Sequence, residues 1–572
     1  MTRNDLDERS DGARNGGDVA VETLTALCVS HVFGIPGQNA LALFDAIRRS
    51  DLTFVSSRTE NNSAFGADGY ARATGEVGVL FLSTGPGALL ALGALQEAYA
   101  TSVPLLVIVS QVPRAGLGLR RGMLHQLDDQ QRSASNVTKS TAVARTSAEI
   151  PSLICDAWSL AQSAPAGPVW VEIPQDVLQE PTSVPPVRSV LTHVQSRAPR
   201  VELVDAAAAR LHAAERPVIL AGGGVRRSPG GREALVALAE TLDAPVISTV
   251  GGKGAIAFDH PLSAGSWIED RYTTSLMEHA DVLLAVGTSM GEVTSNYFTF
   301  APQGQLIQID AEIRVLEANH PGLAIHADAA VALTALGEQI PPRGAGGAAI
   351  AQGLQSAVIA RLESQDLSTE LTLMRDLRSA IPSAAQTFWD MTIAAYWAWS
   401  VWDPQDGQFH SAQGAGGLGF AFPAALAAAI GTEQRTFAVS GDGGAMYSIA
   451  ELATARQHDA DVTWLIVDDG GYGILREYMT DTFGQATATE LSRTDFCALA
   501  DSFGVPSHAA TLENLRETIA ATFATSGPAV VVLPALLKMF APTHLGSDVG
   551  IPRTGSSTDR RQDPKSGGSQ SV

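Results

Sequence analysis

Short apolar runs rich in Val, Ile and Leu recur along the chain, and most of them stop at a turn containing glycine or proline. Between them lie longer stretches whose apolar positions return every three or four residues. The first pattern is that of strands buried on both faces of a parallel sheet, the second that of amphipathic helices. Strands are predicted at 31–34, 52–56, 79–83, 104–110 and 168–173, with helices over 18–30 and 40–48, giving a first α/β domain at 18–180. Strands at 218–221, 246–249, 282–286 and 306–309 predict a second domain at 200–340, and those at 385–390, 436–440, 462–467 and 528–533 a third at 370–540. Residues 174–200 are rich in Pro and Val, and 341–353 in Gly, Pro and Ala, so both are expected to be linkers. The polar ends, 1–17 and 550–572, are expected to be disordered. Regular alternation of strand and helix predicts an α/β fold of three domains with parallel sheets.

Composition narrows the class without changing that picture. Hydrophobic residues make up 45% of the 572 and charged residues 17%, an ordinary globular balance. The formal charge of −22 argues against nucleic acid or an anionic membrane as partner. No run of about 20 apolar residues predicts a membrane span. The first 17 residues lack the apolar core of a signal peptide. Cys28, Cys155 and Cys497 have no metal-ligand spacing, so a reduced, cytoplasmic setting is expected.

The densest chemistry lies between 436 and 475. One strand runs into Gly441-Asp442-Gly443-Gly444, a helix follows, and a second strand ends at Asp468-Asp469-Gly470-Gly471. A right-handed βαβ crossover brings both strand ends to one rim of a parallel sheet, where α/β proteins bind ligands. Glycine N–H groups beside a helix N-terminus suit a phosphate. Asp442 and Asp469, 27 positions apart, could together hold one hard cation, Mg²⁺ or Ca²⁺.

This stretch resembles the diphosphate-binding motif of thiamine-diphosphate (ThDP) enzymes, a GDG followed at this distance by Asn-Asn. The resemblance implies that Asp442, Asp469 and the carbonyl of Gly471 hold Mg²⁺, while Gly441, Gly443 and Gly444 meet the diphosphate. Asp468-Asp469 stands where the family has Asn-Asn, which adds a charge facing the cofactor. A second stretch, TENNSAFGADGYARATG at 59–75, resembles the family's pyrimidine-binding domain. There the Glu, here Glu60, touches N1′ of the aminopyrimidine, and a carboxyl group in an apolar cleft has the raised pKa that sharing this proton requires. Thr59 replaces the usual His. The resemblance also implies that the turn containing Pro36 belongs to the cofactor-binding set. The stretch 414–425 resembles the family's G-x-M-G-x-x-L-P-A-A segment, implying that Gly416 and Leu418 meet the cofactor and that Leu418 wedges between its two rings. The loop 122–129 resembles one whose Gln, here Gln126, faces the substrate.

The resemblance covers about 18–540 and implies the pyruvate oxidase/decarboxylase-like architecture, in the order pyrimidine-binding, central and diphosphate-binding domain. It implies cleavage or formation of the C–C bond next to the carbonyl of a 2-oxo acid. Carboligation of the acetolactate-synthase type is the leading expectation. The alternatives are a non-ligating decarboxylase of the benzoylformate or guanidino-oxo-acid type and a non-catalytic relative. It also implies a homodimer or homotetramer with sites between subunits. The central domain lacks a full G-x-G-x-x-G, and two features of FAD-binding members are missing near 265–270 and after 286, so FAD is not expected.

Overall fold

The computed structural model describes residues 14–194 and 196–540. The stretch 550–572 lies outside these residues, as does 1–13. At 14–17 the chain is ordered: Asn15 caps α1 (Gly16–Ala26) by accepting the Asp18 N–H, and Asp18 accepts the Asn15 N–H in return. This reciprocal cap starts the helix two residues before its expected beginning.

Among the described residues, seventeen strands form three parallel sheets. The first contains β1 (His31–Gly34), β2 (Thr53–Ser56), β3 (Gly78–Leu82), β4 (Leu105–Gln111), β5 (Thr141–Val143) and β6 (Pro168–Pro174), in the order 2-1-3-4-6-5. The second contains β7 (Pro217–Ala221), β8 (Val246–Ser248), β9 (Val282–Val286), β10 (Gln305–Asp310) and β11 (Leu323–His326), in the order 11-10-9-7-8. The third contains β12 (Thr387–Trp389), β13 (Phe409–Ser411), β14 (Thr436–Gly441), β15 (Val462–Asp468), β16 (Ser507–Ala509) and β17 (Ala529–Pro534), in the order 13-12-14-15-17-16. The first and third sheets thus share one strand order despite the absence of a close sequence repeat. Each reverses direction beside its first strand, and the crevice at such a switch point is where these folds bind ligands.

The expected linker at 341–353 is shorter than predicted. A helix, Gly347–Glu363, begins inside it because Asp243 accepts the Ala345 and Gly346 N–H groups and Gly347 sits tight against the Asp243 carbonyl.

The first and third domains share a core. Helix α2 (Glu60–Thr74) lies along α4 (Ala421–Thr432), with Phe65 edge-on to Phe420 at 5.5 Å and Phe422 stacked on Trp464 at 4.1 Å. Between these two helices sits α3 (Ile393–Val401) in chain order, and α5 (Gly473–Phe483) follows β15. A Cβ at Gly69 would lie 2.3 Å from the Ala424 carbonyl oxygen and 2.4 Å from its Cα, so only glycine permits this approach. Gly69→Ala gains about 1 kcal/mol of helix propensity but overpacks backbone atoms that cannot turn aside, at about 1–3 kcal/mol or more. The expected outcome is a net loss of stability, read as a lower urea midpoint with unchanged slope.

Candidate active site

The carboxyl rim of the third sheet gathers four acids. Asp390 follows β12, Asp442 follows β14, and β15 ends at Asp468 beside Asp469; the pairing of Gly441 with Val467 sets the last two strand ends level. Asp442 is buried, and its side chain is hydrogen-bonded to that of Asp469. One oxygen on each, Oδ1, is buried without a hydrogen-bond partner. Burial, then the charges of Asp469 and Asp468, push the Asp442 carboxyl up to about 6. Burial also raises Asp469, opposed by Arg476. Two facing carboxylates with orphaned oxygens fit a hard cation, which would satisfy both at once. Among the described residues no group of three His, Cys, Asp or Glu side chains converges, so further ligands would be carbonyl and phosphate oxygens. The Gly471 carbonyl oxygen lies 3.4 Å from where a Gly443 Cβ would stand, on the side of the Asp442 turn.

The neighbouring acids divide their duties. Asp468 turns away, accepting the Gly470 N–H at 3.1 Å and pairing with Arg493 at 3.2 Å. Asp469 faces Asp442, with Arg476 at 3.6 Å. A Cβ on Gly473 would lie 1.7 Å from Asp469 Oδ2, and one on Gly443 2.7 Å from the Tyr472 ring. The glycines of both loops thus leave a cradle that side chains would fill.

The loop carrying Gly416 and Leu418 is anchored from both sides. Gly416 has φ 69°, Leu418 is half-buried, and the Gly419 N–H donates to both Asp390 oxygens, at 3.1 and 2.9 Å. From the first domain, Glu97 accepts the Gly414 and Ala415 N–H groups, while Arg72 pairs with Asp68 and Glu97 and donates to the Ser411 carbonyl. Asp390, Glu97 and Arg72 were not among the residues singled out in the sequence. The i,i+4 spacing of Asp68 and Arg72 was a visible signal for the last.

The first domain assembles a separate half. Glu60 opens α2, where Thr59 caps by accepting the Asn62 N–H. Glu60 Oε1 lies 3.0 Å from where a Gly87 Cβ would be, and Gly37, next to Pro36, abuts Ser83. These turns and Glu60 therefore meet at the switch point of the first sheet. Gln126 stays within its own loop, donating to the Gly116 carbonyl at 2.7 Å and accepting the Met123 N–H at 3.1 Å. The adjacent His125 meets Asn39 at 3.1 Å. Among the described residues, no hydrogen bond or ion pair joins Glu60 to Asp442 or Asp469. Instead Glu451, just beyond the diphosphate loop, accepts from the Arg58 N–H at 2.8 Å and Asn62 Nδ2 at 3.0 Å.

Three domain families match the chain: the thiamine pyrophosphate enzyme N-terminal TPP binding domain over 14–133, the central domain over 204–336 and the C-terminal TPP binding domain over 390–533. A probable 2-ketoarginine decarboxylase of Pseudomonas aeruginosa is 33% identical over 90% of this chain and 93% of its own. The chain belongs to the ThDP-dependent 2-oxo acid enzyme family. Other members similar to it include a probable acetolactate synthase large subunit of Methanocaldococcus jannaschii, 30% identical over 86% of each chain, and acetolactate synthase isozyme 1 large subunit of Escherichia coli, 28% identical over 86% of this chain and 88% of that one. The family places this protein among enzymes of the transferase or lyase type. No helix among the described residues of this ThDP-family chain is long and apolar enough to cross a membrane.

The Asp442 shift has a definite sign. Its folded pKa, about 6, lies above that of an unfolded carboxylate, so the associated stability is complete at low pH and is lost as pH rises through 6. In divalent-free buffer, Asp442→Asn should therefore be more stable than the parent at pH 7.5, by about 1–3 kcal/mol, with the advantage shrinking towards pH 4. Denaturant midpoints at the two pH values check this.

Proposed function

We propose that this protein is a ThDP- and Mg²⁺-dependent enzyme that breaks the bond between the carboxyl and carbonyl carbons of a 2-oxo acid, releasing CO₂. The observation that carries the reading is the pair of facing carboxylates with orphaned oxygens at the mouth of a glycine cradle. In this reading Asp442, Asp469 and the Gly471 carbonyl hold the cation, and Gly441, Gly443 and Gly444 admit the diphosphate. Gly416 and Leu418 support the rings, with Asp390 fixing their loop. Bound ThDP would supply the electron sink for the departing carboxylate. Glu60 would hold and return the proton at N1′ of the pyrimidine, the turn at Pro36 would help bind that ring, and Gln126 would meet the substrate once released from its contacts to Gly116 and Met123.

Among the described residues, no hydrogen bond or ion pair joins Glu60 to the diphosphate cradle. The reading therefore pairs the first domain of one copy, 18–180, with the third domain of another, 370–540, in a homodimer or homotetramer. The central domain, 200–340, stands between them in sequence. Release of the decarboxylated product as an aldehyde is favoured by the relative named a probable 2-ketoarginine decarboxylase, which aligns over most of this chain. Addition to a second carbonyl is the other reading, favoured by the relatives named acetolactate synthase, which align over most of this chain.

CO₂ release from a panel of 2-oxo acids with ThDP and Mg²⁺ tests the proposal, and product analysis separates aldehyde from hydroxyketone. Glu60→Gln should lower the rate by about 10²–10⁴-fold, the span of general acid–base contributions. Asp469→Asn should retain Mg²⁺ and bind ThDP at least as tightly, because an amide oxygen still ligates and one charge facing the diphosphate is gone. Loss of metal binding in that variant would contradict the ligand set.

A further inference from the structure

A buried carboxylate lies beneath the crevice of the first sheet and touches nothing that the proposed reaction uses. Glu172 on β6 is 1% exposed, and three neutral side chains donate to it. Trp170 Nε1 at 2.9 Å and Gln130 Nε2 at 3.1 Å meet Oε1, and Gln111 Nε2 at 3.0 Å meets Oε2. Burial raises this carboxyl, and the three donors oppose the rise. An apolar residue there would cost the core less, so stability does not account for the choice. What an ionised carboxylate supplies is an acceptor with no donor of its own, which fixes the orientation of the amides that meet it.

Gln130 carries that orientation to the crevice. Strand β4 lies between β3 and β6, and the pairing of Val109 with both Leu82 and Glu172 sets the three strand ends level. Gln130 Nε2 is committed to Glu172 and to the Ser110 carbonyl at 3.2 Å, so its oxygen faces the other way and accepts the Gly85 N–H at 2.9 Å. Ser110 holds the preceding residue, accepting the Thr84 N–H at 3.0 Å and meeting its hydroxyl at 2.9 Å. Gly85 has φ 69°, and the turn it opens, Gly85-Pro86-Gly87, is wedged between two parts of the site. A Cβ at Gly85 would lie 2.3 Å from the His125 carbonyl oxygen, in the loop carrying Gln126. One at Gly87 would lie 3.0 Å from Glu60 Oε1. The path from Glu172 to Glu60 thus runs through one side chain and one turn.

Resting on the reading of Glu60 and ThDP above, we propose that Glu172 is a positioning residue: through Gln130 it holds the Gly85–Gly87 turn, and so places the Glu60 carboxyl and the Gln126 loop. Without the acceptor at 172, Ser110 alone holds the Gln130 amide, and the Gly85 N–H loses a fixed partner. Misplacement of about 1 Å at a turn touching the reacting groups is enough to cost about 100-fold in rate. Trp170 provides the contrast. Its indole shares Glu172 but does not touch Gln130, so losing it weakens the cluster without releasing the turn.

The test sets Glu172→Met and Gln130→Met, which remove the acceptors at nearly constant volume, beside Trp170→Phe. Hydrogen exchange of the full chain without cofactor reads the turn directly. Both methionine variants should speed exchange at Gly85 by about five-fold or more, and Trp170→Phe should not. Calorimetric titration with ThDP and Mg²⁺ should show about ten-fold weaker binding in both, and parent-like binding in Trp170→Phe. On any 2-oxo acid from which the parent releases CO₂, the acid limb of the kcat/KM profile should move in both. In Trp170→Phe it should stay, although the urea midpoint of that variant falls. Parent-like exchange, ThDP affinity or pH profile in either methionine variant would overturn the assignment, as would equal changes in all three. If Glu172→Met does not fold, Gln130→Met decides by the same readouts. A parent that binds no ThDP would defeat the cofactor reading instead, and hydrogen exchange then judges the role of Glu172 by itself.

Discussion

The repulsion between Asp442 and Asp469 is the constraint on which the rest of the site depends. Each is forced to the same rim by its parallel strand, and each keeps a buried oxygen without a partner. A protein that needed only stability would replace one of them with an amide or an apolar residue. Retaining both is costly unless a cation arrives, because charged groups taken out of water without compensation are expensive. Nearby residues limit that cost. Arg493 neutralises Asp468 and turns it aside, and Arg476 offsets part of the charge on Asp469. The Asp-Asp pair therefore brings one further charge towards the cofactor rather than two.

The same logic of paired charge joins the domains. Arg72 is buried between Asp68 and Glu97, and Glu97 in turn holds the backbone of the loop leading to Leu418. Glu451 does the equivalent work beyond the diphosphate loop, taking donors from Arg58 and Asn62. Breaking such a network exposes an unmatched buried charge, so these contacts fix the relative placement of the first and third domains more stringently than apolar packing alone. The shared strand order of those two domains means that each presents a switch point, one carrying Glu60 and the other the two acids.

Much of the fold was legible in the sequence. The thirteen predicted strands each lie within a residue or two of a strand in the structure. The four not foreseen, β5, β11, β13 and β16, are all edge strands. At three or four residues, with sequences such as Thr-Ala-Val and Ser-His-Ala, they are too short to show a period, and pairing with one neighbour rather than local propensity forms them. The diphosphate acids and Glu60 were legible because glycine turns flank them at informative spacing. Asp390, Glu97 and Glu451 were not, since each is a lone acid whose meaning comes from a backbone N–H brought to it by a distant segment.

Asp442 and Asp469 are proposed to form a cation-dependent anchor for a diphosphate. Calorimetric titration of the full chain with ThDP, with Mg²⁺ and then in its complete absence, tests this most directly. Saturable binding that appears only with the cation is the predicted result. Binding of equal affinity without any divalent ion would contradict it.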